Sequence, residues 1–191
     1  MVSIVFPGQG SQFIGMARDF YDNFKIARET FEEIEDYCEY NLKNIIFENE
    51  GDKLNITNYT QISIFTASLM IFKTFVDERK FDMSKVKCMM GHSLGEYSAL
   101  ACCEKLSLKD TSLILKKRGE LMNNVVEPNT TGMAALIGCD SNTILKIIEK
   151  NNLNVEIAND NSPIQVVVSG KLSEIKNSKD IFLDNNVKKF V

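Results

Sequence analysis

At 191 residues the chain exceeds one small domain, and with 44% hydrophobic residues it has material for a sizeable core. Its formal net charge of -4 argues against nucleic-acid binding, which calls for a basic face, and no run of about eighteen apolar residues marks a membrane span. Residues 1–10 lack the basic start and apolar centre of a signal peptide, and the five cysteines show no C-x-x-C spacing, so a cytoplasmic protein with reduced core thiols and no metal is expected.

Residues 2–6 (VSIVF) read as a strand running into Pro7-Gly8-Gln9-Gly10-Ser11-Gln12, a glycine-rich loop whose backbone N–H groups can approach a ligand oxygen. Neither a G-x-G-x-x-G fingerprint nor a P-loop lysine is present, so nucleotide binding is not expected. Helices are expected over 13–20, 24–38 and 61–78, the last with Ile62, Phe65, Leu69, Phe72 and Val76 on one buried face. A short buried strand at 86–90 then meets Gly91-His92-Ser93-Leu94-Gly95, followed by a helix over 94–103 that takes Cys102 and Cys103 into the core. A G-x-S-x-G turn needs small residues because the backbone bends sharply there, and it lifts the serine into the open, which makes Ser93 the candidate nucleophile.

A helix over 108–122 carries Arg118, and the turn formers at 127–132 make a boundary. Beyond it come a strand at 133–139, a helix capped by Asp140 or Ser141 and running to Lys150, strands at 155–158 and 165–169, a helix at 172–185 and a last strand at 187–191. That order, βαββαβ, is the ferredoxin-like arrangement, so the chain reads as α/β with domains at 1–126 and 127–191.

Together, PGQGSQ at 7–12 and GHSLGEYSA at 91–99 resemble the malonyl-CoA:acyl carrier protein transacylases of fatty-acid synthesis and the acyltransferase domains of polyketide synthases. The likeness continues through Thr60-Gln61 (TQIS for the family's T-Q-P-A), Lys117-Arg118-Gly119 (KRG for M-R-G), Gly132-Met133-Ala134-Ala135 and Asn161-Ser162-Pro163, and so covers essentially the whole chain. The resemblance implies a hydrolase-like large α/β subdomain, incomplete here, with an inserted ferredoxin-like small subdomain. It implies transfer of malonyl from malonyl-CoA, a substrate rather than a bound cofactor, to the phosphopantetheine thiol of acyl carrier protein. Ser93 would carry the acyl group, the backbone N–H groups of Gln9 and Leu94 would face the oxyanion, and Arg118 would grip the malonyl carboxylate with its planar fork. Carrier proteins are acidic, and Lys116-Lys117 or Lys188-Lys189 could offer a basic patch, although solvated faces explain those lysines equally well.

The chain departs from the family at its base. Its one histidine is His92, and neighbouring side chains leave an elbow turn in different directions, which places His92 poorly to take the Ser93 proton. The family's catalytic histidine lies in a segment beyond Val191, so the chain reads as the N-terminal portion of a transacylase, with an open sheet edge and slow acylation expected. Two rivals stay open: a patatin-like serine acyl hydrolase, whose Asp-Gly-Gly signature is absent, and a non-catalytic fragment that acts by binding.

Overall fold

The computed structural model describes residues 1–78, 81–127 and 129–191. The chain divides into two compact units, Met1–Val125 and Val126–Val191. The expected boundary loop at 127–132 includes Pro128, which lies outside the described residues.

In the first unit, β1 (Val2–Phe6) pairs in parallel with β2 (Val86–Gly91), Val5 opposite Met90 and Phe6 opposite Gly91. These two strands are the whole of that sheet among the described residues. The expectation of a buried strand at 86–90 does not hold: no β2 residue is fully buried, and Val5 and Met90 are 65% and 49% exposed. A parallel strand is buried when both faces and both edges are covered, and here β1 and β2 each keep an unpaired edge.

Burial centres instead on α3 (Thr57–Asp77), in which every residue from 60 to 70 is buried. The one-faced helix expected at 61–78 is thus a central helix over its first half, while Phe72 and Val76 are only half-buried. It also begins four residues earlier, because Thr60 Oγ1 donates to the carbonyls of Leu54 and Ile56 and so seals the first turn. Around it lie α2 (Lys25–Cys38), with Ala27, Phe31, Ile34 and Cys38 inward at helical spacing, and a single π turn at Asn44–Glu48 that buries Ile45, Ile46 and Phe47. The helix expected at 13–20 is displaced to α1 (Arg18–Asn23). Gly15 and Ala17 take left-handed backbone that no α-helix admits, and the Gly15 N–H donates instead to the Ile46 carbonyl at 2.8 Å.

After β2 come α4 (Gly95–Cys102) and α5 (Leu108–Asn124), the latter capped by Ser107, whose hydroxyl accepts from the Asp110 N–H. Two cysteine expectations fail. The α4 helix ends at Cys102, leaving Cys103 exposed at a left-handed turn with Glu104, and Cys88 is only half-buried at the open strand pair.

The second unit is one antiparallel sheet in the order β4-β5-β3-β6, built from β3 (Thr131–Ile137), β4 (Val155–Ser162), β5 (Gln165–Lys171) and β6 (Lys189–Phe190). Helices α6 (Ser141–Lys150) and α7 (Leu172–Asp184) connect them in the sequence βαββαβ. Ala134 and Leu136 alternate inward on β3, Val166 and Val168 on β5, and they meet Ile144, Ile147, Ile175 and Phe182 from the helices. Asp140 caps α6 by accepting the Thr143 N–H at 2.7 Å. Among the described residues no helix is long and apolar enough to cross a membrane.

Candidate active site

The turn after β2 places Ser93 at the head of α4, exposed, with φ at 54°. A left-handed backbone at a non-glycine residue is strained, on the order of 1–3 kcal/mol, and its surroundings must hold it. The flanking glycines do so by letting backbone touch backbone. A Cβ on Gly91 would stand 1.9 Å from the Gly95 carbonyl carbon, and one on Gly95 would stand 2.4 Å from the Phe6 carbonyl oxygen. The elbow is therefore wedged against the end of β1, and the His92 N–H donates to that same Phe6 carbonyl at 3.1 Å.

The glycine-rich loop that follows β1 lies against this turn. A Cβ on Gly8 would meet the His92 carbonyl oxygen at 2.6 Å and the His92 Nδ1 at 2.7 Å, so loop and elbow are in close contact. The loop is tied down by its own amides: the Gly10 N–H donates to Gln12 Oε1 at 2.8 Å, and the Gln9 side chain reaches Thr57 at the start of α3. The backbone N–H groups of Gln9 and Leu94 meet no protein acceptor among the described residues. Gln9 is exposed in its loop, whereas Leu94 is fully buried at the elbow.

Arg118 arrives from α5. A Cβ on Gly119 would stand 2.9 Å from the Asn58 carbonyl oxygen, so glycine there lets α5 close on the start of α3. The result is a half-buried guanidinium with three contacts. Nη2 donates to Ser93 Oγ at 3.1 Å, Nη1 donates to Gln61 Oε1, and the group lies 5.8 Å from the Tyr97 ring centroid. Because Arg118 can only donate, the Ser93 oxygen is the acceptor in this contact, which leaves the hydroxyl hydrogen for a base.

Of the four site residues named from sequence, Ser93 and Leu94 share the elbow, Gln9 lies in the loop packed on it, and Arg118 touches Ser93. Gln61 and Tyr97 were not singled out for a role. Gln61 stood in the TQIS string, and a glutamine inside a helix of apolar and small residues is the signal that could have found it. Of the two lysine pairs considered for docking, one is engaged: Lys116 pairs with Glu39 at 3.3 Å and Lys117 with Glu120 at 3.6 Å. Burial pushes the Cys38 and Cys102 thiols up, away from thiolate chemistry. No group of three His, Cys, Asp or Glu side chains able to hold a metal occurs among the described residues.

A strand, a strained serine elbow and a helix, with an arginine at the serine oxygen, define an α/β protein built around an exposed hydroxyl. The chain belongs to the acyl transferase domain family, whose model matches residues 4–180. It is 35% identical over 194 residues to the malonyl CoA-acyl carrier protein transacylase of Bacillus subtilis (strain 168), covering 100% of this chain and 60% of that protein. Among solved structures, the acyl-carrier-protein-S-malonyltransferase of Bartonella henselae superposes with a TM-score of 0.90 at 36% identity, over 100% of this chain and 62% of that one. A malonyl-transacylase in complex with its type II polyketide-synthase acyl-carrier protein superposes with a TM-score of 0.88 at 32% identity, over 99% of this chain and 61% of that one. The chain thus spans less than two thirds of the length of these relatives.

Proposed function

We propose that the chain carries the serine half of a malonyl-CoA:acyl carrier protein transacylase. Ser93 Oγ attacks the thioester carbonyl of malonyl-CoA, the coenzyme A thiol leaves, and the malonyl ester on Ser93 then passes to the phosphopantetheine thiol of acyl carrier protein. The tetrahedral oxyanion of each step sits between the backbone N–H groups of Gln9 and Leu94, where charge develops and water is displaced. Arg118 holds the free carboxylate of the malonyl group. Each of its terminal nitrogens has two hydrogens, so Nη1 can keep Gln61 and still contribute to a bidentate grip. In this reading residues 1–126 are part of a hydrolase-like large subdomain and residues 127–191 a ferredoxin-like small one, the latter supported by the antiparallel order β4-β5-β3-β6.

The observation that carries the proposal is the contact of the Arg118 guanidinium with the oxygen of an exposed serine on a left-handed turn. It joins a nucleophile to a carboxylate receptor, a pairing that a plain esterase has no use for. Among the described residues the partner of the Ser93 oxygen is a donor, so the hydroxyl proton still needs an acceptor. Without such an acceptor, acylation is expected to be slower by several orders of magnitude.

The test is incubation with malonyl-CoA and, separately, acetyl-CoA, followed by intact mass and peptide mapping. Slow malonyl labelling at Ser93, in preference to acetyl and lost as a preference in Arg118→Ala, is the expected result. Labelling at another residue, or steady release of free acid from simple esters without regard to Arg118, would overturn it.

A further inference from the structure

We propose that Met122 is a positioning residue for Arg118, acting through Gln61: its thioether sulfur accepts from the buried Gln61 amide and so steadies the amide oxygen against the guanidinium. The inference rests on the reading of Arg118 as the partner of the malonyl carboxylate.

Gln61 is fully buried on α3, where an amide must find partners for one acceptor oxygen and two N–H donors. Its Oε1 accepts from Arg118 Nη1, and its Nε2 donates to Met122 Sδ at 3.1 Å. Arg118 and Met122 stand four residues apart on α5, one turn of the same face, so the two side chains bracket a single amide from opposite ends. Turned over, that amide would set its NH2 against the guanidinium, donor to donor, and its oxygen against the sulfur lone pairs. Both neighbours therefore select the same orientation. A methionine at 122 supplies an acceptor, weak but directed, where any other apolar side chain supplies none.

The consequence reaches the candidate nucleophile. With Nη1 held in the buried amide, the opposite side of the fork is aimed at Ser93, and Nη2 lies 3.1 Å from its oxygen. Remove the sulfur and the buried Nε2 loses its acceptor, so the amide shifts toward another one and its Oε1 is held less firmly against Arg118, which lets the guanidinium move. The property at stake is discrimination between dicarboxylic and simple acyl thioesters, and Ser93 itself is untouched.

Met122→Leu tests this in the full chain, since it keeps an apolar side chain of similar volume and removes only the acceptor. Two readouts are taken: calorimetric affinity for malonyl-CoA and for acetyl-CoA, and the 15N-resolved signals of the Gln61 amide and the Arg118 guanidinium, the former assigned by its loss in Gln61→Met. The expected result is a fall of about fivefold in malonyl-CoA affinity, the size of one hydrogen bond's net contribution, with acetyl-CoA affinity unchanged, a displaced Gln61 amide and broadened Arg118 signals. Unchanged Gln61 and Arg118 signals would overturn the proposal. So would an equal fall for both thioesters accompanied by a lower melting temperature, because that is loss of packing alone. Equal binding of the two thioesters by the unaltered chain would instead sink the carboxylate role of Arg118, and the Gln61 amide signal would still decide the role of Met122.

Discussion

In the small unit four strands form one antiparallel sheet with both helices on the same face, whereas in the large unit the sheet is two parallel strands and the centre of burial is a helix. The small unit is assembled by side chains packing between one face of the sheet and its two helices. The large unit depends on backbones meeting at glycines, at the elbow and where α5 closes on α3. It also leaves an apolar groove of about 480 Å³ beside β1, lined by Val2, Ile4, Phe13, Phe72 and Phe75 among others. Packing tolerates adjustment; backbone contact does not, and the two units should respond to substitution accordingly.

The largest expected effect is Gly91→Ala. With a Cβ placed 1.9 Å from the Gly95 carbonyl carbon, the elbow cannot form, and a loss of more than about 4 kcal/mol is expected, read as vanished hydrogen-exchange protection in β1, β2 and α4. Retained protection there would mean that the contrast between the units is false. In the small unit, Phe182→Ala should cost about 3–5 kcal/mol in denaturant unfolding, because the ring is fully buried between α7 and the sheet. A loss below 1 kcal/mol, on the same scale of core truncations, would show that its packing is looser than described.

Smaller effects sharpen the comparison. Ser63 on α3 is fully buried with no partner for its hydroxyl among the described residues, so Ser63→Ala should raise stability by about 1 kcal/mol. A loss on thermal melting would show that the hydroxyl is satisfied in solution. The smallest effect concerns Asp140, whose carboxyl is held below the usual range chiefly by the Thr143 N–H. A depressed folded-state pKa means that this contribution is present above the ordinary aspartate value and fades as pH falls through the lower one. Asp140→Asn keeps a capping side chain without a titrating group, so it should flatten the acid-side dependence of the melting temperature while shifting the neutral value by a few degrees at most.

Much of this was legible in the residues. The serine turn, β1 and the α6 cap depend on short-range rules of glycine, alternation and capping, and they lie where those rules put them. The partnership of Arg118 with Gln61 was not legible, because it spans 57 positions and arises where Gly119 lets two helices touch. Nor was the all-round burial of α3: Thr60, Ser63 and Thr66 read as polar, yet Thr60 and Thr66 hide their hydroxyls in helix carbonyls and so become core. The failed helix at 13–20 has the same origin, a tertiary hydrogen bond from Gly15 overriding local propensity.

The left-handed backbone at Ser93 has a consequence for how this chain can change over generations. Position 93 is one at which the smallest residue would sit at ease, so selection for a tougher molecule alone would erode the hydroxyl. On the role proposed for Ser93, its retention sets reactivity against durability at a single peptide unit, and the neighbouring contacts at Gly8, Gly91 and Gly95 leave little room to relieve that tension by drift nearby.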